Sequence, residues 1–194
     1  MKKLRVGVVG CGRISVMHFL PIKALRQSEL VACCDIKKER ADEAAEKYGC
    51  NAYYDYREML AKEQLDVIHI CLPHYLLVPV SIYAMERGVN VLSEKPMSIS
   101  LEDAEKAVEV AKKCGVQYGV IFQCRYNNSA QLVKKTVTSG KLGKIISVSS
   151  TLTWTRPDSY YAESDWKGTW EKEGGDKTFS ADCNNGDIDI DFVQ

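Results

Sequence analysis

The chain has 194 residues, enough for one well-packed domain and the beginning of a second. Its 26 Lys and Arg balance 26 Asp and Glu, so no net field draws it to nucleic acid, to a membrane surface or to a strongly acidic substrate. With 45% hydrophobic residues it reads as an ordinary soluble globular protein. No apolar run approaches the roughly 20 residues of a membrane-spanning helix, and the basic start Met1-Lys-Lys runs into too short an apolar stretch for a signal peptide.

From Leu4 to about Phe122 short β-rich runs alternate with helical stretches, the pattern of a parallel sheet covered by helices on both faces. The fold class is therefore α/β, a doubly wound parallel sheet. The first strand is expected over Leu4 to Val9, followed by Gly10-Cys-Gly12-Arg-Ile-Ser15 opening a helix, with Pro21 kinking or dividing that helix because proline lacks the N–H of a helical turn. Further strands are expected over Leu30 to Cys34, Val67 to Cys71, Val89 to Leu92 and Val116 to Phe122, with a fragment at Ala52 to Tyr54. Most are continuous apolar runs, as strands buried on both faces require. Asp55-x-x-Glu58 reads as a capping box, and Gly49, Gly88 and Gly115 stand where a glycine ends a helix.

After Arg125 the pattern changes. A helix is expected near Ala130 to Ser139, then Lys144 to Trp154 alternates hydroxyl and apolar residues like an antiparallel, half-exposed strand. The domain boundary is placed near 123, separating an α/β domain over 1–123 from a partial C-terminal domain over 124–194. Trp154, Tyr160, Tyr161, Trp166 and Trp170 suit either sugar stacking or core packing, with packing favoured. From Gly174 the helical and strand patterns fade until Ile188-Asp-Ile-Asp-Phe. Asp182-Cys-Asn184-Asn-Gly186-Asp187 resembles a calcium loop, but its glycine falls at the fifth ligand position and no bidentate Glu follows, so no metal is expected.

Of the eight cysteines none forms a Cys-x-x-Cys pair, and several sit inside apolar strand-like runs. They are read as small buried hydrophobes rather than disulfides or metal ligands, with a reducing cytoplasm as the expected compartment.

Three places carry chemistry. In Gly10-Cys-Gly12-Arg-Ile-Ser15 the first glycine permits the tight turn, the second lets a pyrophosphate approach the backbone, and the third position needs a small residue, here Ser15. The helix N-terminus offers its free N–H groups to phosphate oxygens. Ordinary tight turns produce the same spacing. Asp35 closes the second strand, where a carboxylate accepts hydrogen bonds from ribose hydroxyls and repels a 2′-phosphate; it is also a possible helix N-cap, and both roles can coexist. NAD is thus favoured over NADP, although Lys37 and Lys38 leave room for the phosphate. Folds that bind S-adenosylmethionine share both features. Glu94-Lys95-Pro96 follows a strand at the edge where open α/β sheets bind ligands; a lysine there can polarise a substrate hydroxyl, while the bland reading is a surface turn.

The order of the motifs resembles the Gfo/Idh/MocA family of glucose-fructose oxidoreductase and inositol dehydrogenase relatives, from residue 4 to about 175. The resemblance rests on Val6-Gly-Val-Val-Gly-Cys-Gly-Arg-Ile-Ser, Cys71-Leu-Pro-His, Val91-Leu-Ser-Glu-Lys-Pro, Phe122-Gln-Cys-Arg-Tyr-Asn, Ser139-Gly-Lys-Leu-Gly-Lys-Ile and Trp166-Lys-Gly-Thr-Trp-Glu-Lys-Glu-Gly-Gly. It implies an N-terminal Rossmann domain binding NAD or NADP and oxidation of a sugar, polyol or related hydroxyl, or the reverse reduction. By this resemblance Gly10, Gly12, Arg13 and Ile14 line the pyrophosphate, Asp35 and Ile36 the adenosine, and Cys71, Leu72 and Pro73 the turn beside the cofactor. Glu94 and the catalytic Lys95 lie near the nicotinamide, with Gln123 beside the cofactor and Arg125 at the mouth of the substrate pocket. The resemblance further implies that 1–123 is the dinucleotide-binding domain and 124–194 a partial C-terminal substrate or oligomerisation domain, α+β with an open, mostly antiparallel sheet through which a homo-oligomer forms.

Two departures stand out. Leu77 occupies a place where relatives often carry a histidine, and after Gly174 the family's Asp and His, which complete the acid/base set, do not follow. The expectation is a truncated chain from an interrupted reading frame, with impaired turnover. The alternative is a non-catalytic dinucleotide-binding or partner-binding protein.

Overall fold

A computed structural model describes residues 2–149, 151, 153 and 155–174, together with the backbone of 179–184 and 187–192. The parallel strands are β1 (Leu4–Val9), β2 (Ser28–Cys34), β3 (Asn51–Tyr53), β4 (Val67–Ile70), β5 (Asn90–Ser93) and β6 (Tyr118–Val120), in the spatial order β3-β2-β1-β4-β5-β6. The helices between them are α1 (Val16–Ala24), preceded by a 3-10 turn (Arg13–Ser15), then α2 (Lys38–Tyr48), α3 (Tyr56–Lys62), α4 (His74–Met85) and α5 (Leu101–Cys114).

Alternation along the strands divides the core. Val8 and Cys33 point to one face, where Phe19 and Ile22 of α1 and Ala44 and Tyr48 of α2 cover them. Val9, Cys34, Ile68 and Ile70 point to the other, under residues of α3, α4 and α5. The central strands are thus covered on both sides, which is why the buried part of β1, Val6 to Val9, is apolar without a period of two. Phe19 stacks on Tyr48 at 4.4 Å between ring centroids, and removing such a buried ring costs about 3 to 5 kcal/mol. The direction of winding reverses between β1 and β4, and it is at the carboxyl ends of the strands at such a switch point that open α/β sheets bind ligands.

Most helix ends follow their local chemistry. Gly49 and Gly115 cap α2 and α5 in the left-handed conformation, and Ser100 caps α5 by accepting the Asp103 N–H. Asp55 caps α3 by accepting the Arg57 N–H. The capping box is incomplete, because Glu58 pairs along the helix with Lys62 instead of turning back. Pro21 does not divide its helix; α1 runs from Val16 to Ala24 through it. The helix begins only at Val16, so the proline removes a single late bond in a short segment.

Residues 1–120 and 166–194 form one compact unit and 121–165 a second. The second contains a 3-10 turn (Gln123–Tyr126), α6 (Asn128–Thr138) and α7 (Asp158–Ala162). The strand expected over Lys144 to Trp154 is corrected: its described residues make no ladder. A strand needs a neighbour for its N–H and C=O groups, and none lies among the described residues of this unit. Of the aromatics expected to pack, Tyr160, Tyr161 and Trp166 are half-buried, with Tyr160 against Tyr161 and Trp166 against His74, Trp170 is exposed, and Trp154 lies outside the described residues. The short helix α8 (Trp170–Glu173) joins the first unit, as does an antiparallel hairpin of β7 (Phe179–Asn184) and β8 (Asp187–Phe192). Ile188 to Phe192 therefore does take strand form. Residues 185 and 186 of the calcium-loop motif lie outside the described residues.

The described cysteines are free thiols, with Cys33, Cys34 and Cys71 buried in the sheet. Burial pushes the Cys34 thiol up to about 12 and holds Cys71 well above its ordinary value, so both act as apolar packing at neutral pH.

Candidate functional site

The glycine turn leaves β1 at this carboxyl edge. Gly10 has φ +93°, and a Cβ on it would stand 2.3 Å from the carbonyl oxygen of Cys71 on the neighbouring turn. No other residue fits, because the turns after β1 and β4 touch at backbone level. Gly12 differs: its φ is −76°, and a Cβ there would meet only Arg40 Nη1, at 3.9 Å. The protein does not need glycine at that place for its own packing. What a Cβ would occupy is open space at the head of the turn, where a ligand's phosphates can approach the backbone. Ser15 is buried, and its hydroxyl donates to the Gly12 carbonyl at 2.6 Å, closing the turn from within.

Asp35 ends β2 beside this turn. One carboxylate oxygen accepts the Cys11 N–H at 2.9 Å and the other accepts the Lys37 N–H at 2.9 Å. The N-cap of α2 is Lys37, so Asp35 is not the cap; it ties the glycine turn to the start of the following loop. Each oxygen keeps a lone pair for an outside donor. Ile36 is 87% exposed beside it, an apolar surface with no packing role in this unit.

Cys71, Leu72 and Pro73 form the turn after β4, with the Cys71 N–H donating to the Val9 carbonyl at 2.7 Å. Leu77 one helical turn further on is fully buried in the core, so the site expected for a histidine faces inward and packs apolar residues. His74 opens α4; its Nδ1 lies 3.0 Å from the Glu173 carbonyl and its ring stands 4.9 Å from that of Trp166. The Trp166 to Glu173 motif is thereby fastened to the end of the sheet.

Glu94 and Lys95 follow β5 at the same edge, with Lys95 exposed and the Lys95–Pro96 peptide bond cis. The Glu94 side chain is 12% exposed and lies 3.1 Å from Nε2 of His18, which is 3% exposed on α1. Nδ1 of His18 lies 3.1 Å from Nδ1 of His69 on β4. Burial, followed by the His18 ring, pushes His69 down to about 4 and keeps it neutral. Burial of Glu94 pushes its carboxyl up, but the His18 hydrogen bond, the Lys95 N–H and the electrostatic pull of His18 and Lys95 outweigh it, so the group is held below the usual glutamate value. Sequence reasoning missed His18 and His69. The signal was present in the apolar runs Met17-His-Phe-Leu and Val67-Ile-His-Ile, since a histidine in the core needs a polar partner.

Gln123 and Arg125 stand exposed on the 3-10 turn of the second unit, where the Arg125 guanidinium lies 5.3 Å from the Phe122 ring centre. The structure brings Gly10, Gly12, Arg13, Ile14, Asp35, Ile36, Cys71, Leu72, Pro73, Glu94 and Lys95 to the carboxyl edge of one sheet.

A parallel sheet in this order, a glycine turn at its switch point and an acid at the end of β2 define a Rossmann dinucleotide-binding unit. The chain belongs to the Gfo/Idh/MocA oxidoreductases: residues 4–122 match the family described as "Oxidoreductase family, NAD-binding Rossmann fold". Among its relatives, the D-glucoside 3-dehydrogenase of Escherichia coli is 32% identical over 73% of this chain and 41% of that protein. The myo-inositol 2-dehydrogenase of Thermotoga maritima is 30% identical over 73% and 42%. The solved WlbA dehydrogenase of Bordetella pertussis, in complex with NADH and UDP-GlcNAcA, superposes with a TM-score of 0.86 at 36% identity, covering 89% of this chain and 53% of that one. The myo-inositol 2-dehydrogenase of Lactobacillus plantarum superposes at 0.70 with 31% identity, covering 75% and 44%. The chain spans less than half the length of the two curated relatives named here. Among the described residues, no helix is long and apolar enough to cross a membrane.

Proposed function

We propose that this chain is the NAD-binding portion of an oxidoreductase acting on a hydroxyl of a sugar or polyol, with a nucleotide-linked sugar acid as the leading substrate class. The open cradle at Gly12 beside the Asp35 carboxylate carries the reading, since the fold itself uses neither the missing Cβ nor the remaining lone pairs. Arg13 and Ile14 follow Gly12 at the head of the helix, whose first N–H groups have no intrahelical acceptor and suit a diphosphate. Ile36 gives an adenine ring an apolar neighbour. The Asp35 charge favours NAD over NADP.

A bound NAD would supply the acceptor for the hydride of the carbinol carbon. Lys95 hydrogen-bonds the substrate hydroxyl and, as the neutral amine, takes its proton while the carbonyl forms, with Glu94 holding the adjoining backbone. Gln123 is assigned beside the cofactor and Arg125 to the substrate, where a guanidinium suits the carboxylate or phosphates of a nucleotide-linked sugar acid. The sugar-acid class is favoured because the relative solved with UDP-GlcNAcA matches this chain further along its length than the inositol dehydrogenases do. Domains over 1–123 and 124–194, and a homo-oligomer formed through the C-terminal portion, belong to the same reading.

A second reading, dinucleotide binding without turnover, draws on the exposed Leu132, Val133 and Ile146 of the second unit, which suit a partner. Titration calorimetry with NAD and NADP, followed by NADH formation with UDP-N-acetylglucosaminuronic acid, myo-inositol and a D-glucoside, separates them. Turnover supports the first and binding alone the second; absence of heat with either dinucleotide refutes both.

A further inference from the structure

The histidine pair beneath the carboxyl edge has no part in the reading above. His18 sits on α1 among apolar neighbours, Phe19 and Ile22, which pack against β1 and β2. A leucine would fill that place without a polar group to satisfy, so packing alone gives no reason for an imidazole there. Its two nitrogens instead join three elements that end at the site: α1, which follows the glycine turn, β4 through His69, and the turn after β5 through Glu94.

The direction of the bond to the carboxylate follows from chemistry. A carboxylate only accepts, so His18 Nε2 donates to Glu94 Oε1 at 3.1 Å. On its other side Nδ1 of His18 meets Nδ1 of His69 at 3.1 Å, one ring donating and the other accepting. The other oxygen of Glu94 accepts the Lys95 N–H at 3.2 Å. The groups around the Glu94 carboxylate are thus His18 from α1, Cys71 from the turn after β4, and Lys95 on its own turn.

We infer that His18 is a positioning residue: by holding the Glu94 carboxylate from below, it fixes the backbone on which Lys95 stands at the cofactor edge. This rests on Lys95 being the group at the reacting hydroxyl, although the contact itself can be tested without turnover. Two oxygens of one carboxylate are fixed from opposite sides, one by a buried ring and one by the Lys95 amide, so the lysine inherits its place from α1.

The test uses the full chain, labelled with 15N, and follows the Lys95 amide as pH is lowered through the glutamate range, in the native protein, His18→Leu and His18→Gln. Glutamine places an N–H near the position of Nε2 but cannot take up a proton. The native amide should titrate below the ordinary glutamate value. In His18→Leu its midpoint should rise by about one pH unit or more, because burial then acts on Glu94 with less opposition; in His18→Gln most of that rise should be recovered. Where turnover is measurable, His18→Leu should lower kcat by roughly a hundredfold with KM changed little, the cost of a misplaced catalytic group. A Lys95 amide with the same shift and midpoint in all three proteins overturns the inference. NAD affinity, measured on the same samples, reports separately: a native protein that ignores NAD defeats the functional reading and leaves the amide titration to decide the role of His18.

Discussion

Gly10 and Gly12 belong to one turn, yet their replacement by alanine should produce opposite failures. At Gly10 the new Cβ meets the Cys71 carbonyl oxygen at 2.3 Å and its carbon at 2.8 Å, and φ is +93°. The backbone strain alone is worth about 1 to 3 kcal/mol. The obstruction is backbone on the neighbouring turn, so the loops after β1 and β4 must separate, and a total loss of about 3 kcal/mol or more follows. For a chain of this size that is roughly 6 to 12 °C in Tm. At Gly12 the nearest atom is a flexible Arg40 tip at 3.9 Å and φ is −76°, so the fold should lose no more than about 0.5 kcal/mol. The added methyl instead stands where the diphosphate approaches, and NAD affinity should fall by at least about tenfold, or 1.4 kcal/mol. Thermal melting with and without NAD, read beside calorimetric titration, gives both quantities for each variant. Gly12→Ala melting as early as Gly10→Ala, or binding NAD as the native protein does, would refute the division of labour between the two glycines.

Replacing Asp35 by Ala removes the acceptor for two backbone N–H groups; thermal melting should show a loss of about 1 to 3 kcal/mol, and paired titrations should move the ratio of NADP to NAD affinity upward by about tenfold. Lys95→Met should lower kcat by roughly a hundred- to ten-thousand-fold while NAD affinity stays within a few-fold, because the side chain is exposed and supports no packing; unchanged turnover removes Lys95 from the chemistry. His69, held down to about 4, is neutral in the folded protein across a range where the unfolded chain binds a proton. Stability should therefore be fully present above about pH 6.5 and be lost as pH falls toward 4, by roughly 3 kcal/mol. His69→Gln should flatten that part of the pH profile of urea unfolding, and an equally steep profile in the variant counts against the assignment.

The local pattern carried much of this molecule. Continuous apolar runs marked the strands of the parallel sheet to within a few residues, since a strand buried on both faces has no polar side to interrupt it. Gly49 and Gly115 marked helix ends because few other residues adopt their backbone conformation, and Asp55 marked a start because its carboxylate reaches the next turn's N–H. The glycine turn, Asp35 and Lys95 were visible for the same reason: each stands at a junction between elements, where residue type is dictated by local geometry. The failures were of another kind. The alternation over Lys144 to Trp154 describes a strand only if a neighbour exists to receive its hydrogen bonds, and Glu58 fits a capping box until Lys62 competes for it.

What the sequence determined by itself was the class of fold and the identity of the residues at the carboxyl edge, because strand burial, turn geometry and helix capping act over a few neighbouring positions. Only the tertiary structure decided what lies beneath that edge. His18, His69 and Glu94 come from three separate elements, and nothing in the spacing of a linear chain requires an imidazole on α1 to meet a carboxylate beyond β5. Winding the chain through a parallel sheet brings them together, and their low exposure makes the meeting count, because a polar group withdrawn from water must find its partner in the protein.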